Sequence, residues 1–522
     1  MKHLLWHLGI ASALMAIPAW SQSSPAPMSD RAAARLLDQA TWGPTPASIQ
    51  QLQSVGINAW LQAQFAAPVS DLPDQPSMNA AGKTNTALGP VQSAFFQNTL
   101  SGQDQLRQRV AFALSEIWVE SAVTVHPAYA QPVYWRVLRD NAFGNYRDIM
   151  KAVTLSPAMG EFLNLANNNK ANAKKGTAAN ENYAREFQQL FTIGLVQLNP
   201  DGTVMLDANG NPVPTYNQAE ITDTARVLTG WTYPVAPGAT QKNNNPAYFI
   251  GQMIPVEAEH DTTAKTVIGG VQIPAGQTTS QDLDSLLDAL MQQSTMAPFV
   301  SAQLIQHLVT SNPSPQYIQR VSSVFTNDGT GASGNMQAVI IAILTDPEAR
   351  AADDPNATPN ANFGHMREPV LFMANVLRGL NGTLGAGSAI QNQTNQMGQN
   401  LFSAPSVFSY FSPQYRTEKG LPGPEFQLYS TATAAARADI VNSILYGTLD
   451  KSTQFDLSPF TSVGASISAL VDTISYTFFY HGMSNSLQQA VTSAAAAASS
   501  PQKAAQAALY VALTSGEYQI VH

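Results

Sequence analysis

Apolar residues return at three- and four-residue steps along most of this chain, a spacing that covers one face of an α-helix and leaves the opposite face to water. DQLRQRVAFALSEIWVES shows it with Leu106, Val110, Ala113, Leu114 and Ile117. RAAARLLDQATWG and PASIQQLQSVGINAWLQAQF repeat it on either side of Gly43 and Pro44. The same reading covers PVYWRVLRDNAF, YRDIMKAVTL, AEITDTARVLTGW, APFVSAQLIQHLV, MQAVIIAILTD, REPVLFMANVLRGL and AAQAALYVALTSG. The pattern predicts a mainly α fold: one large helical domain over residues 22–522, closing on C-terminal helices over about 465–522. One stretch departs from it. VQLNPDGTVMLDANGNPVPTY, residues 196–216, has turn chemistry at Asn199-Pro200-Asp201-Gly202 and at Asn209-Gly210, and predicts a small β-hairpin insertion projecting from the helical body. Segments 69–92 and 381–400 lack periodicity and read as linkers.

With 522 residues and 44% hydrophobic content the chain can bury a sizeable core, yet only 12% of it is charged, about half the usual share. The net charge of −9, with no run of Lys and Arg, argues against nucleic acid and anionic membranes as partners. MKHLLWHLGIASALMAIPAWSQSS opens with Lys2, runs apolar to Ile17 and reaches Ala19-Trp20-Ser21, which predicts a signal peptide over residues 1–21. His7, Gly9 and Pro18 leave the run short of the ~20 residues a spanning helix needs. The expected product is exported, periplasmic or extracellular, with no stable membrane insertion after cleavage. The chain has no cysteine, which excludes disulfides, thiolate nucleophiles and cysteine metal sites. Any metal must be held by His, Asp, Glu or carbonyl oxygen.

Ionisable groups gather in a few places. In NENYAREFQQLFTIG, residues 180–194, Asn180 suits an N-cap, Glu181 the first turn and Gly194 the terminus. Tyr183, Phe187, Leu190 and Phe191 form an apolar stripe, with Glu181 and Arg185 opposite it and four residues apart. Glu186 falls about 60° from the centre of that stripe. A carboxylate partly buried there must be neutral, paired or bound to a metal. VEAEHDTTAKTVIGG sets Glu257, Glu259, His260, Asp261 and Lys265 on a loop, where adjacent His and Asp can share a metal or act as an acid–base pair. NFGHMREPVLFMANVLRGL begins a helix with His365, Arg367 and Glu368 ahead of Pro369, and Glu368 there reads as compensating the helix dipole. His307 in LIQHLV reads as a satisfied core histidine. Arg109 and Glu116, seven apart on one helix face, read as architectural. Asp207, Asn209 and Asn211 open like a calcium loop but lack its distal Glu, so they read as a turn. HExxH, Gly-x-Ser-x-Gly, a Walker loop and a dinucleotide glycine pattern are all absent.

The ordered series ARLLDQATWGPTPASI, FGNYRDIMKAVTLSPAMGEFLN, NENYAREFQQLFTIGLVQLNPDGT, HDTTAKTVIGG, AVIIAILTDPEAR and SAPSVFSYFSPQY closely resembles the DUF1800 family, a bacterial domain of unknown function. The resemblance runs from about residue 30 to ALTSGEYQI, and ENYARE with its LFTIGL continuation is its most recognisable mark. It implies an exported, mainly helical protein whose relatives are often encoded beside sulfatase-like proteins of the DUF1501 family. It carries over no catalytic residue. Thr263 stands in the HDTTAK loop where relatives often have Gly.

Two functions follow. In the first, the protein is an exported binding or assembly partner, or scaffold, for the sulfatase-like neighbour, and the ENYARE, HDTTAK and REP segments form a polar network within it. In the second it is a periplasmic or secreted hydrolase. Glu186, Arg185, His260, Asp261 and Arg367 then form the catalytic set, with Glu186, His260 and Asp261 on a divalent metal and an arginine orienting an anionic substrate. Geometry separates the two: the hydrolase needs these residues in one cleft.

Overall fold

Caps set where the helices begin. In the computed structural model, which describes residues 28–354 and 360–521, the side chains of Ser29, Thr45, Asn145, Thr278 and Ser314 each accept a first-turn backbone N–H. Among the described residues there are 21 α-helices, accompanied by four two-stranded antiparallel sheets of two or three residues per strand. The fold is mainly α. PASIQQLQSVGINAWLQAQF runs as Pro46–Phe65 but breaks at Gly56, whose φ of 78° lies outside the helical region. The signal peptide expected over 1–21 lies outside the described residues, and no described helix is long and apolar enough to cross a membrane.

The buried apolar side chains form two large clusters. One is built mainly from residues 33–349, and the other joins Trp42, Phe95, Phe112 and Trp135 to the helices after residue 369. Helix Gln105–Ile117 belongs to both. Leu106, Val110, Ala113, Leu114 and Ile117 enter the first, Ala111 and Phe112 the second. Apolar residues thus flank its charged positions, and Arg109 and Glu116 are held away from water.

The segment NENYAREFQQLFTIG is not one uniform helix. Asn182–Glu186 is α-helical and Phe187–Thr192 is a π-helix, in which Thr192 Oγ1 donates to the Phe187 carbonyl five residues back at 2.7 Å. The wider turn carries both Phe187 and Phe191 onto Trp118, whose ring centroid is 4.6 Å from that of Phe191. Leu190 is only partly buried. Gly194 ends the segment at φ 73°, where a Cβ would come within 2.8 Å of the Phe299 ring.

The expected hairpin is present as nested turns. Val196 bridges to Pro214, Leu198 to Val204 and Leu206 to Pro212. Its first turn does not project, because Pro200 accepts from Ser322 Oγ at 2.7 Å and Gly202 packs beside Ile318. Segment 381–400 is not a plain linker either. Thr383–Leu384 pairs with Thr453–Gln454, Ile390–Gln396 is helical, and Gln399 is fully buried.

Beyond the end of Gln105–Ile117, Glu120 accepts a hydrogen bond from Gln131 Nε2 at 3.1 Å. Burial pushes its carboxyl up to about 8 from an ordinary 4.5. Between those values the folded protein keeps a proton that the unfolded chain has released. The stabilisation is complete below 4.5 and is lost as pH rises through 8. Glu120→Gln is expected to flatten this slope. Urea midpoints measured across the window would show it, and parallel curves for the two proteins would contradict it.

Candidate functional site

Two helices end side by side and bring an acid and a base together. Glu116 sits in the last turn of Gln105–Ile117, and His307 in the last turn of Met296–Leu308. A helix C-terminus favours the histidine and disfavours the carboxylate, so Glu116 needs another partner. His307 Nδ1 lies 3.2 Å from Glu116 Oε2, but the alignment is poor and Oε2 makes no hydrogen bond. Arg109, two turns earlier on the Glu116 helix and 2% exposed, donates from Nη2 to the His307 carbonyl and fixes the two helix ends against each other.

Glu368 joins them from a third direction. It precedes Pro369 at the start of Pro369–Gly379 but makes no capping hydrogen bond. Gln399 does that work: its Oε1 accepts from Val370 N at 2.9 Å, and its Nε2 donates to Glu368 Oε2 at 2.7 Å and to Glu116 Oε1 at 3.1 Å. The other oxygen, Glu368 Oε1, is buried without a hydrogen bond. It faces His365 Nε2 at 3.8 Å, and His365 Nδ1 is 3.4 Å from Glu425 Oε1. Both hydrogen bonds to Glu425, from Ser311 Oγ and from Met366 N, go to Oε1.

Burial is the leading cause of the protonation behaviour here. It pushes Glu116 up to about 7, against the pull of the nearby Arg109 guanidinium. Burial and the facing Glu116 carboxylate raise Glu368 well above the ordinary range. Burial lowers His307 and favours its neutral, ligating form. Burial also pushes Glu425 upward, but the His365 ring and the Ser311 hydroxyl more than offset it, leaving Glu425 below the usual carboxylate value. Two carboxyls that resist ionising therefore sit beside a neutral imidazole and one ionised carboxylate. Ligand atoms of Glu116, His307 and Glu368 all lie within 4.8 Å of one another, close enough to share one cation.

Two of the three, Glu116 and His307, line a cleft of about 440 Å³, and Glu368 does not. Glu116, His307 and Glu425 reach its surface, and its walls come from Leu190 and Gly194 of the π-helical segment, Leu195, Val196 and Leu198 of the hairpin, Phe299 of Met296–Leu308, and Val407, Phe408 and Phe411. Gln189, Gln303, Gln306 and Gln414 add amides. Among the described residues no Lys or Arg lines it.

A family model described as a protein of unknown function, DUF1800, matches residues 35–520, nearly the whole chain. The chain belongs to the DUF1800 family. No curated protein and no solved structure matches it. In this DUF1800 protein, the residues singled out from sequence as the catalytic set occupy three separate places. Arg185 pairs with Glu181 at 3.0 Å near the surface. Beside it Glu186 is half-buried, with Oε2 lacking a hydrogen bond and its carboxyl raised by burial. His260 is fully buried, with Nδ1 at 2.9 Å from the Thr229 carbonyl and Nε2 at 3.1 Å from Asp282 Oδ2. Asp261 is bound by Arg226 at 2.9 Å, and although burial opposes it, Arg226 and Thr263 hold its carboxyl well below the usual range. Thr263 thus contributes its own hydroxyl to the loop. Arg367 pairs with Asp38 at 2.5 Å and lines another cavity of about 570 Å³.

Glu186, His260 and Asp261 do not gather around a common point; among the described residues the group that does is Glu116, His307 and Glu368. Each DUF1800 residue of that group was visible in the sequence and has a local explanation there. The signal that could have marked them is their rarity: ionisable groups on otherwise apolar helix faces in a chain with few charges.

Proposed function

We propose that this chain is a hydrolase whose active site is the Glu116–His307–Glu368 cluster beside the apolar cleft, with a divalent cation held by those three side chains. One observation carries the reading: three ligand atoms from separate parts of the fold lie within 4.8 Å, and Glu116 Oε2 and Glu368 Oε1 are buried without hydrogen bonds. Carboxylate and imidazole ligands suit zinc or manganese. Such a cation supplies Lewis-acid polarisation of the scissile group. The remaining chemistry belongs to the chain. Glu425, ionised and open to the cleft, takes a proton from the attacking water and delivers it to the leaving group, while Gln399 fixes the two ligating carboxylates. The apolar walls exclude bulk water. Export to the periplasm or beyond belongs to the proposal, supported by the charge-poor composition and the apolar leader.

A second reading keeps the protein as an exported assembly partner or scaffold for a sulfatase-like protein. It is favoured by the way His260, Lys265 and Arg367 are used up in pairs that tie non-helical segments to helices, His260 and Lys265 to Asp282 and Arg367 to Asp38. Elemental analysis separates the readings. Protein purified without chelator and then supplied with zinc or manganese is expected to hold about one cation per chain, and Glu368→Gln less than about a tenth of that. No stoichiometric metal in the unsubstituted protein, and no rise in its unfolding temperature on adding either ion, would sink the hydrolase reading and turn attention to co-purifying partners.

A further inference from the structure

The cleft carries a feature that its catalytic end does not use. Val196 sits opposite Pro214 in an antiparallel bridge whose hydrogen bonds are made by the flanking residues, Gln197 N to Val213 O at 2.8 Å and Thr215 N to Leu195 O at 3.1 Å. In such a pair the central residue turns its own N–H and C=O to the opposite edge of the strand. Neither group of Val196 has a hydrogen-bond partner among the described residues. Leu198, two residues on and facing the same way, shows where that edge points. Its N–H reaches Thr295 Oγ1 at 3.0 Å, at the start of the helix that carries Phe299 and His307. Val196 and Leu198 both line the cleft.

From this edge we infer that the substrate is a polypeptide in extended conformation, which adds as a strand beside Val196 and presents one of its amides to the Glu116–His307–Glu368 end. This rests on the hydrolase reading and names its substrate class. Main-chain pairing would supply affinity without regard to sequence, and alternate side chains of the peptide would enter the apolar walls formed by Leu195, Phe299 and Phe411. The outer rim has the same character: Leu195 and Phe408 are 47% and 44% exposed. Charge selects in the same direction. With no Lys or Arg in its walls among the described residues, the cleft offers no cationic partner to phosphorylated, sulfated or polyanionic ligands and suits uncharged peptides. In the reaction, water adds to the amide carbon, the C–N bond breaks, and the proton that Glu425 took from water passes to the departing amine. The products are a carboxylate and an amine, and no further reactant is needed.

Binding and cleavage can be read apart. Fluorescence anisotropy with a labelled, uncharged decapeptide would report binding to the Glu368→Gln variant, which should not turn it over. N-methylation of the peptide backbone, one amide at a time, is expected to weaken binding at least about tenfold at one or two positions and little elsewhere. Val196→Pro, which deletes the free N–H and leaves both hairpin hydrogen bonds intact, is expected to lose a similar factor. A flat N-methyl scan, or no peptide binding at all, overturns the peptide assignment even if the zinc-loaded protein hydrolyses simple esters or glycosides. A patterned scan with no cleavage by the zinc- or manganese-loaded protein keeps the peptide site and removes the hydrolase reading instead.

Discussion

Asp282→Ala is expected to destabilise the protein by about 3–5 kcal/mol, because it leaves a buried ammonium without its counter-ion. Lys265 is 2% exposed, and its ammonium donates to Asp282 Oδ2 at 2.6 Å, to the Thr263 carbonyl at 3.0 Å and to the Asp261 carbonyl. Asp282 is itself fully buried and also meets His260 Nε2. Removing the carboxylate strands a positive charge where water cannot reach it. The loop of residues 257–270 then keeps the hydrogen bond from Thr279 N to Glu257 Oε2 but loses its buried charged tie to helix Thr279–Met291. Replacing both partners, Lys265→Met with Asp282→Leu, is expected to recover most of the loss, because no unpaired charge remains. Chemical denaturation of the unsubstituted protein and the two variants measures this directly. A cost below about 1 kcal/mol for Asp282→Ala, the range of a solvated pair, would show that the triad is not sealed from solvent.

The second large effect concerns chemistry. His307→Ala is expected to lower kcat/KM for peptide hydrolysis by about 10³-fold or more, equivalent to roughly 4 kcal/mol of transition-state stabilisation, with the fold intact. His307 is the one neutral ligand between two carboxylates, and its loss leaves the cation with two reluctant acids. His260→Ala is the matching control. That histidine also sits beside a carboxylate but faces no cleft, so its replacement should cost stability and leave turnover of the folded protein unchanged. Loss of turnover in His260→Ala, with His307→Ala active, would move the site to the HDTTAK loop.

The fold was more legible in the sequence than the site, and particular residues show why. Helix positions follow from apolar spacing and from caps such as Ser29 and Thr45, all of which act within one or two turns. The exceptions arose where packing overrode local preference. Trp118 draws Phe187 and Phe191 into a π-helical turn that a uniform period of 3.6 does not describe, and Gly56 breaks a helix that its flanking residues would continue. Glu368 illustrates the same limit in the site. Its place before Pro369 makes it look like a helix-terminal charge, and only the buried amide of Gln399, from a segment without periodicity, takes over the capping and turns Glu368 toward Glu116.

From sequence alone the mainly α architecture, the hairpin insertion and the family were determined, because periodicity, capping, turn chemistry and ordered motifs are properties of neighbours along the chain. Tertiary structure alone decided which ionisable groups meet. Glu116 and Gln399 are 283 positions apart yet joined by one hydrogen bond, while His260 and Asp261 are adjacent and turn to different partners. Local spacing says which face of a helix a side chain takes. Which other face it meets, and whether water reaches the two, depends on how the whole core packs.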